Sequence, residues 1–315
     1  MSKEHNHNLE RLAEANSHKR IAFGILVHSE ETFNGMVDLV DKLYSPEYCY
    51  IIHLDTKYNT TRELNYPNVH FVSLFNITWG SFNMTKSMIY LTHMAYKECK
   101  FDIFQFLDGS TYPLHPLNQI QQFYDNLEAN VVFSATKNLK SGLTCAPGRM
   151  RKDPCKRTLS KCLNANCTLY SNTPRNQPIY KGMQWITLQY SFIEYMVMNS
   201  EWLGEWIQFF APFRLNDELF FQTILMDAKQ TQTQFYADIV QTIWGRCRTY
   251  QTLRSIKKWS PCYVGKREFS KISWDSLFIR KLYYNETIKS VIDEYGQIEE
   301  LYPQSSPSSM YNRIK

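Results

Sequence analysis

Ile21-Ala22-Phe23-Gly24-Ile25-Leu26-Val27 is an apolar run with no charge and no proline. It reads as a strand covered on both faces. His28 and Ser29 close it. Phe33, Met36, Val37, Val40 and Leu43 then recur on one face of a helix that stops near Ser45-Pro46, where proline removes a donor and blocks a further turn. Cys49-Tyr50-Ile51-Ile52-His53-Leu54 is a second buried strand, and Val69-His70-Phe71-Val72 a short third one. A helix is expected from about Met84 to Cys99, with Met88, Leu91 and Ala95 inward, and then a fourth strand from Phe101 to Leu107. Strands separated by helices return across the face of a sheet, so the expected class is α/β with a parallel-rich sheet. Further strands are expected over Val131 to Ser134 and Gln184 to Leu188, with Phe192 to Phe210 largely helical and short strands beyond Phe235. No internal repeat is present.

In such sheets ligands bind beyond the carboxyl ends of the strands. His28 and Ser29 follow the first strand, Asp55 and Lys57 the second, and Asp108-Gly109-Ser110-Thr111 the fourth. A net charge of +5 suits an anionic ligand such as a nucleotide diphosphate and does not demand nucleic acid. Residues 137 to 178 are basic but lack the interleaved aromatics that stack bases, which argues against a nucleic-acid partner. The 15% aromatic content fits carbohydrate sites and packed cores alike. No apolar run approaches the roughly 18 residues that span a bilayer, so no membrane segment is expected in this chain. Residues 1–20 are polar and carry no signal-peptide core, so they are expected to be disordered. A single domain over 21–300 follows, with a disordered tail over 301–315.

Of eight cysteines, Cys145, Cys155, Cys162 and Cys167 fall in the 137–178 stretch. Their spacing matches no zinc signature, and disulfides pinning an insertion loop are the favoured reading over reduced thiols. Asn59, Asn76, Asn83, Asn166 and Asn285 begin Asn-x-Ser/Thr triplets, which hint at a secretory compartment without fixing one.

The run Asn216-Asp217-Glu218-Leu219-Phe220-Phe221-Gln222-Thr223 carries the chemistry. Two adjacent carboxylates are expected in the first turn of a helix that starts after Pro212. The helix dipole alone accounts for such a placement. Phe209, Phe210, Pro212 and Phe213 precede the pair, however, and a carboxylate held against apolar walls gains proton affinity and can act as a general base.

The order of motifs resembles the core-2/I-branching β-1,6-N-acetylglucosaminyltransferase family, which also contains the peptide O-xylosyltransferases. The motifs are Ile21 to His28, Tyr50 to Asp55, Trp79-Gly80, Leu107 to Leu114, Gly182-Met183-Gln184-Trp185, Asp217-Glu218-x-x-Phe221-x-Thr223, Leu253-Arg254 and Phe278-x-Arg280-Lys281. The resemblance implies a GT-A-type glycosyltransferase fold: a Rossmann-like nucleotide-binding sheet merged with an acceptor-binding half. It also implies an inverting enzyme with a UDP-sugar donor, a glycan or glycoprotein acceptor and no divalent metal. The absence of any Asp-x-Asp in the chain is consistent with that.

By the same resemblance Glu218 is the general base, with Asp217 the runner-up or a cap residue. Val27, Asp55 and Trp79 fall on the nucleotide side, and Arg254, Arg280 and Lys281 are the candidate cations for the leaving diphosphate. Asp108, Thr111, Gln184 and Trp185 fall on the substrate side. The family usually carries an aspartate where this chain has Thr111, so altered donor preference or lost activity is one expectation. Three alternatives stay open: xylosyl transfer, to which Gly182-x-Gln184-Trp185 is similar; a UDP- or carbohydrate-binding protein without turnover; and a zinc hydrolase built on His28, His53 and Asp55. The compartment stays open too, since members of the family are usually Golgi membrane proteins.

Overall fold

A computed structural model describes residues 18–133, 136–137, 144–145, 173–228, 233–236, 239–244, 261–282 and 286–301. The first half runs β1 (Ile21–Val27), α1 (Glu30–Leu43), β2 (Cys49–Leu54), β3 (Val69–Val72), α2 (Phe82–Glu98), β4 (Ile103–Asp108), β5 (Tyr112–Pro113), α3 (Leu117–Asp125) and β6 (Asn130–Phe133). Short strands β7 (Thr136–Lys137), β8 (Thr144–Cys145) and β9 (Tyr180–Lys181) lead to β10 (Thr187–Gln189), α4 (Tyr190–Met198), α5 (Ser200–Phe210) and β11 (Phe213–Arg214). A 3₁₀ turn at Asn216–Glu218 then enters α6 (Phe220–Asp227), followed by β12 (Thr233–Tyr236), β13 (Val240–Thr242), α7 (Lys266–Phe269), β14 (Phe278–Arg280) and α8 (Glu286–Leu301).

β1 is buried along its whole length because it pairs in parallel with β2 on one side and β4 on the other. The main sheet has the order β12-β6-β10-β4-β1-β2-β3. β10 is antiparallel to both β4 and β6, so it divides a sheet that is otherwise parallel. A second sheet, β13-β14-β5, stands over its own apolar cluster of Leu114, Ile243, Val264, Ile279 and Ile288.

Helix α1 starts directly off β1. Ser29 caps it, and the Thr32 side chain returns the bond to the Ser29 backbone, so two otherwise orphaned donors are satisfied. Gly35 of α1 lies against the turn after β4: a Cβ there would stand 2.0 Å from the Gly109 carbonyl oxygen, and one on Gly109 would stand 1.8 Å from that of Thr32. Only glycine allows this approach, and it fixes the Asp108–Thr111 turn against the start of α1. The last helix is fastened to α1 as well. Lys289 pairs with Asp38, Lys42 with Asp293 at 2.8 Å, and the Tyr112 hydroxyl donates to Asp293 at 3.0 Å.

Several expected boundaries move. The strand expected at Gln184 to Leu188 runs Thr187–Gln189, the residues that pair in register with Gln105, Phe104 and Ile103 of β4. The long helix expected over Phe192 to Phe210 is two helices, broken at Asn199, whose φ/ψ of −111° and 55° leaves the helical region. The helix expected directly after Pro212 does not start there. Phe213–Arg214 forms β11, Leu215 takes a left-handed φ of 55°, and the carboxylates lie on the 3₁₀ turn ahead of α6. A disulfide joins Cys49, at the start of β2, to Cys99, which caps α2. The cysteines of the 137–178 stretch are a different set: of Cys145, Cys155, Cys162 and Cys167, among which disulfides are expected, Cys145 lies in β8 and the other three lie outside the described residues. So do Arg254 and the termini expected to be disordered, apart from His18 to Arg20 and Leu301, the last residue of α8.

Candidate active site

The carboxyl ends of β1, β2 and β4 converge, as parallel pairing requires. The Asp55 backbone N–H donates to Val27 O at 2.8 Å and the Gly109 N–H to Leu26 O at 3.0 Å. Asp55 is buried. Its Oδ1 accepts from the Lys57 N–H at 3.0 Å and its Oδ2 from the Ile77 N–H at 3.2 Å, so it holds the loop that leads to Trp79. Trp79 itself is 71% exposed, and Gly80 beside it has a φ of 70°.

His28 opens to solvent at the mouth of these strands, yet enough protein surrounds the ring to lower its pKa. Burial is the main cause; Lys281 and Lys57 reinforce it, while Asp108 and Asp55 oppose it. These five groups therefore share one electrostatic neighbourhood. Burial, and then Arg280 beside it, also lower the pKa of Lys281.

Asp108 is the hub of this end. Its Oδ1 accepts from the Ser110 N–H (2.9 Å), the Ser110 hydroxyl (2.7 Å) and the Thr111 hydroxyl (2.9 Å). Its Oδ2 meets the Arg280 guanidinium at 2.5 Å. Burial works against the charge, but Arg280, Ser110 and Lys281 outweigh it and hold Asp108 below the ordinary aspartate range. Arg280 also lies over the Trp185 ring, 4.3 Å from its centroid. Trp185 is buried, 4% exposed, with the guanidinium on its face, a different setting from the open ring that sugar stacking uses. Thr111 is buried with its hydroxyl donated to Asp108, so the loop is ordered without a second aspartate.

The carboxylate turn is pinned from three sides. Asn216 is wholly buried. Its Oδ1 accepts from the Thr85 hydroxyl of α2 at 3.1 Å, and its Nδ2 donates to Phe210 O (3.1 Å) and Phe213 O (2.7 Å). The Leu215 N–H donates to Gly80 O at 3.1 Å, which ties the Trp79–Gly80 turn to the carboxylates. Phe210 packs on Phe213 and Phe220, and Phe220 on Phe221, so an aromatic wall does stand behind the pair.

The two acids differ. Asp217 is 6% exposed, its Oδ1 has no hydrogen-bond partner among the described residues, and burial together with Glu218 raises its pKa to about 7. The Glu218 side chain is 26% exposed and pairs with Lys181 at 3.1 Å through Oε2.

Residues 180–185 join the two clusters. The Gly182 N–H donates to Glu218 O at 2.9 Å, Gln222 of α6 donates to Met183 O at 2.6 Å, and Trp185 lies under Arg280. Three residues of extended chain span at most about 11 Å, so this segment keeps the carboxylate turn close to the basic end. Gln184, in the middle of it, is half-buried and its carbonyl accepts from the Ile186 N–H at 3.1 Å. Sequence reasoning gave no role to Lys181 or Asn216. No local pattern marks them: Lys181 meets Glu218 from a separate strand, and Asn216 takes the Thr85 hydroxyl from α2.

The residues of the hydrolase alternative do not assemble as ligands. His53 is fully buried, and its Nε2 accepts from the Phe75 N–H at 3.2 Å. Both Asp55 oxygens already hold backbone donors. The group of potential ligands within reach of one another among the described residues is Cys49, His70 and Cys99, two of them joined as a disulfide. A surface cavity of about 900 Å³ beside it is lined by Arg20, Cys49, His70 and Asp102, at the amino ends of the strands and away from the carboxylates.

The profile of the Core-2/I-Branching enzyme family matches residues 21–273. The chain belongs to this family. Among solved structures it is similar to the apo structure of the bifunctional glycosyltransferase WbbM, at 13% identity and a TM-score of 0.40, over 94% of this chain and 52% of that one. This chain thus spans about half the length of that protein. No curated protein matches it in sequence. Among the described residues no helix is long and apolar enough to cross a membrane.

Proposed function

We propose that the chain is a metal-independent, inverting transferase that moves N-acetylglucosamine from its UDP donor to a glycan hydroxyl in β-1,6 linkage. The observation that carries the reading is the contrast within one turn: Asp217 is buried, while Glu218 reaches solvent on a backbone pinned by Asn216. A base must touch the proton it removes. Glu218 meets that requirement and Asp217 does not.

In the step itself, the acceptor oxygen forms a bond to the anomeric carbon as the bond from that carbon to the β-phosphate oxygen breaks. The hydroxyl proton passes to the Glu218 carboxylate. The electron pair leaves with UDP, whose growing negative charge needs fixed cations. Lys281, at the carboxyl end of the sheet, supplies one. Arg280 is engaged by Asp108 and Trp185 and acts as the strut that fixes the chain leading to Lys281.

The test is acceptor-stimulated UDP release from a panel of UDP-sugars in excess chelator, with mucin-type glycan and peptide acceptors. Release from UDP-N-acetylglucosamine supports the reading. Release from UDP-xylose onto peptide moves the donor to the xylosyl side, and activity that needs added metal overturns metal independence. Glu218→Gln is expected to lower kcat about 10²- to 10⁴-fold with UDP binding retained. Full transfer by this variant removes Glu218 as the base.

A further inference from the structure

We propose that Lys181 is a positioning residue for the general base, holding the Glu218 carboxylate by one oxygen so that the other faces the acceptor hydroxyl. The proposal rests on the assignment of Glu218 as the base. An ion pair near the surface usually contributes little, because two long side chains must be ordered to make it. Here the backbones on both sides are already ordered against each other.

Tyr180 and Thr223 exchange two bonds: the Tyr180 N–H donates to the Thr223 hydroxyl oxygen at 3.0 Å, and that hydroxyl donates to Tyr180 O at 3.4 Å. The Gly182 N–H donates to Glu218 O at 2.9 Å, and Gln222 donates to Met183 O at 2.6 Å. Lys181 thus sits in a strand fastened on both sides of its own position to the segment that carries Glu218. Its Nζ meets Oε2 at 3.1 Å, which leaves Oε1 to accept the proton. Asp217 does not present an oxygen to the acceptor in its place, since it is buried. Among the described residues, Lys181 is the cation paired with Glu218.

Lys181 contacts the Glu218 carboxylate, so its effect falls on the orientation of the base and not on donor affinity. With the donor and acceptor pair that gives acceptor-stimulated UDP release, Lys181→Met is expected to lower kcat about 10- to 100-fold, as small misplacements of a reacting group do. The Kd for UDP and the melting temperature are expected to stay unchanged, and Lys181→Arg is expected to restore most of kcat. An unchanged kcat in Lys181→Met overturns the proposal. So does a loss that Lys181→Arg leaves unrepaired, or one that tracks weakened UDP binding or a lowered melting temperature. Glu218→Gln is measured alongside. If it still transfers sugar, the base assignment fails and the proposal with it; if it is inactive while Lys181→Met is unaffected, the proposal alone fails.

Discussion

Asp217 has a buried carboxyl with no donor on Oδ1 among the described residues, while Glu218, one residue on, meets Lys181 and solvent. Burial and the neighbouring acid raise the Asp217 pKa to about 7, above the value near 4 of an unfolded aspartate. The sign follows from linkage: between those pH values the folded state binds the extra proton, so stability falls as pH rises through the window. Asp217→Asn is expected to flatten the slope of unfolding free energy against pH between about 4 and 7, as read by urea denaturation at several pH values. An unchanged slope would mean that Asp217 titrates normally. The sequence showed two acids and aromatic neighbours, and could not show which acid faces inward. That is decided by the left-handed backbone of Leu215 and by Asn216, whose partner Thr85 lies 131 residues away.

At the scale of elements, Asp108 from β4, Arg280 from β14 and Trp185 from the approach to β10 form one joint. It bonds the second sheet to the carboxyl end of the first, and the Leu282 N–H adds a bond to Ser110 O at 2.8 Å. Arg280→Ala would leave the Asp108 charge buried and unpaired, a loss expected to be about 3–5 kcal/mol in chemical denaturation. Arg280→Lys would keep the charge but lose the planar contact with Trp185 and is expected to recover part of it. A loss no larger than that of an exposed arginine would show that the joint is loose. Most elements of the fold were legible, since apolar runs and helical periodicity mark β1, β2, β4, α1 and α2 directly. The joint was not, because Arg280 and Trp185 look in sequence like an isolated cation and an isolated aromatic. Gln184 to Leu188 was misplaced for a related reason: strand ends are set by where the neighbouring strand offers partners.

Across the whole molecule, the Cys49–Cys99 disulfide ties residues 50 positions apart and closes a loop holding β2, β3 and α2. On loop-closure entropy such a bond contributes about 4 kcal/mol by limiting the unfolded chain. Cys49→Ser with Cys99→Ser is expected to lower the melting temperature markedly while UDP binding persists. The bond lies at the amino ends of the strands and the carboxylate turn at the opposite end of the sheet. Loss of UDP binding with no loss of stability would contradict that separation.

The strands β7 and β9 pair antiparallel, with Thr136 opposite Lys181 and Lys137 opposite Tyr180, so the segment between them begins and ends at neighbouring points. An excursion with neighbouring ends is cheap to resize, since doubling a loop adds only about 0.6 kcal/mol of closure entropy. Its return strand carries Lys181, and Gly182 next to it is bonded to Glu218 O. A change of length in this segment that keeps the β7–β9 and β8–β11 pairings is therefore expected to leave Glu218 where it is.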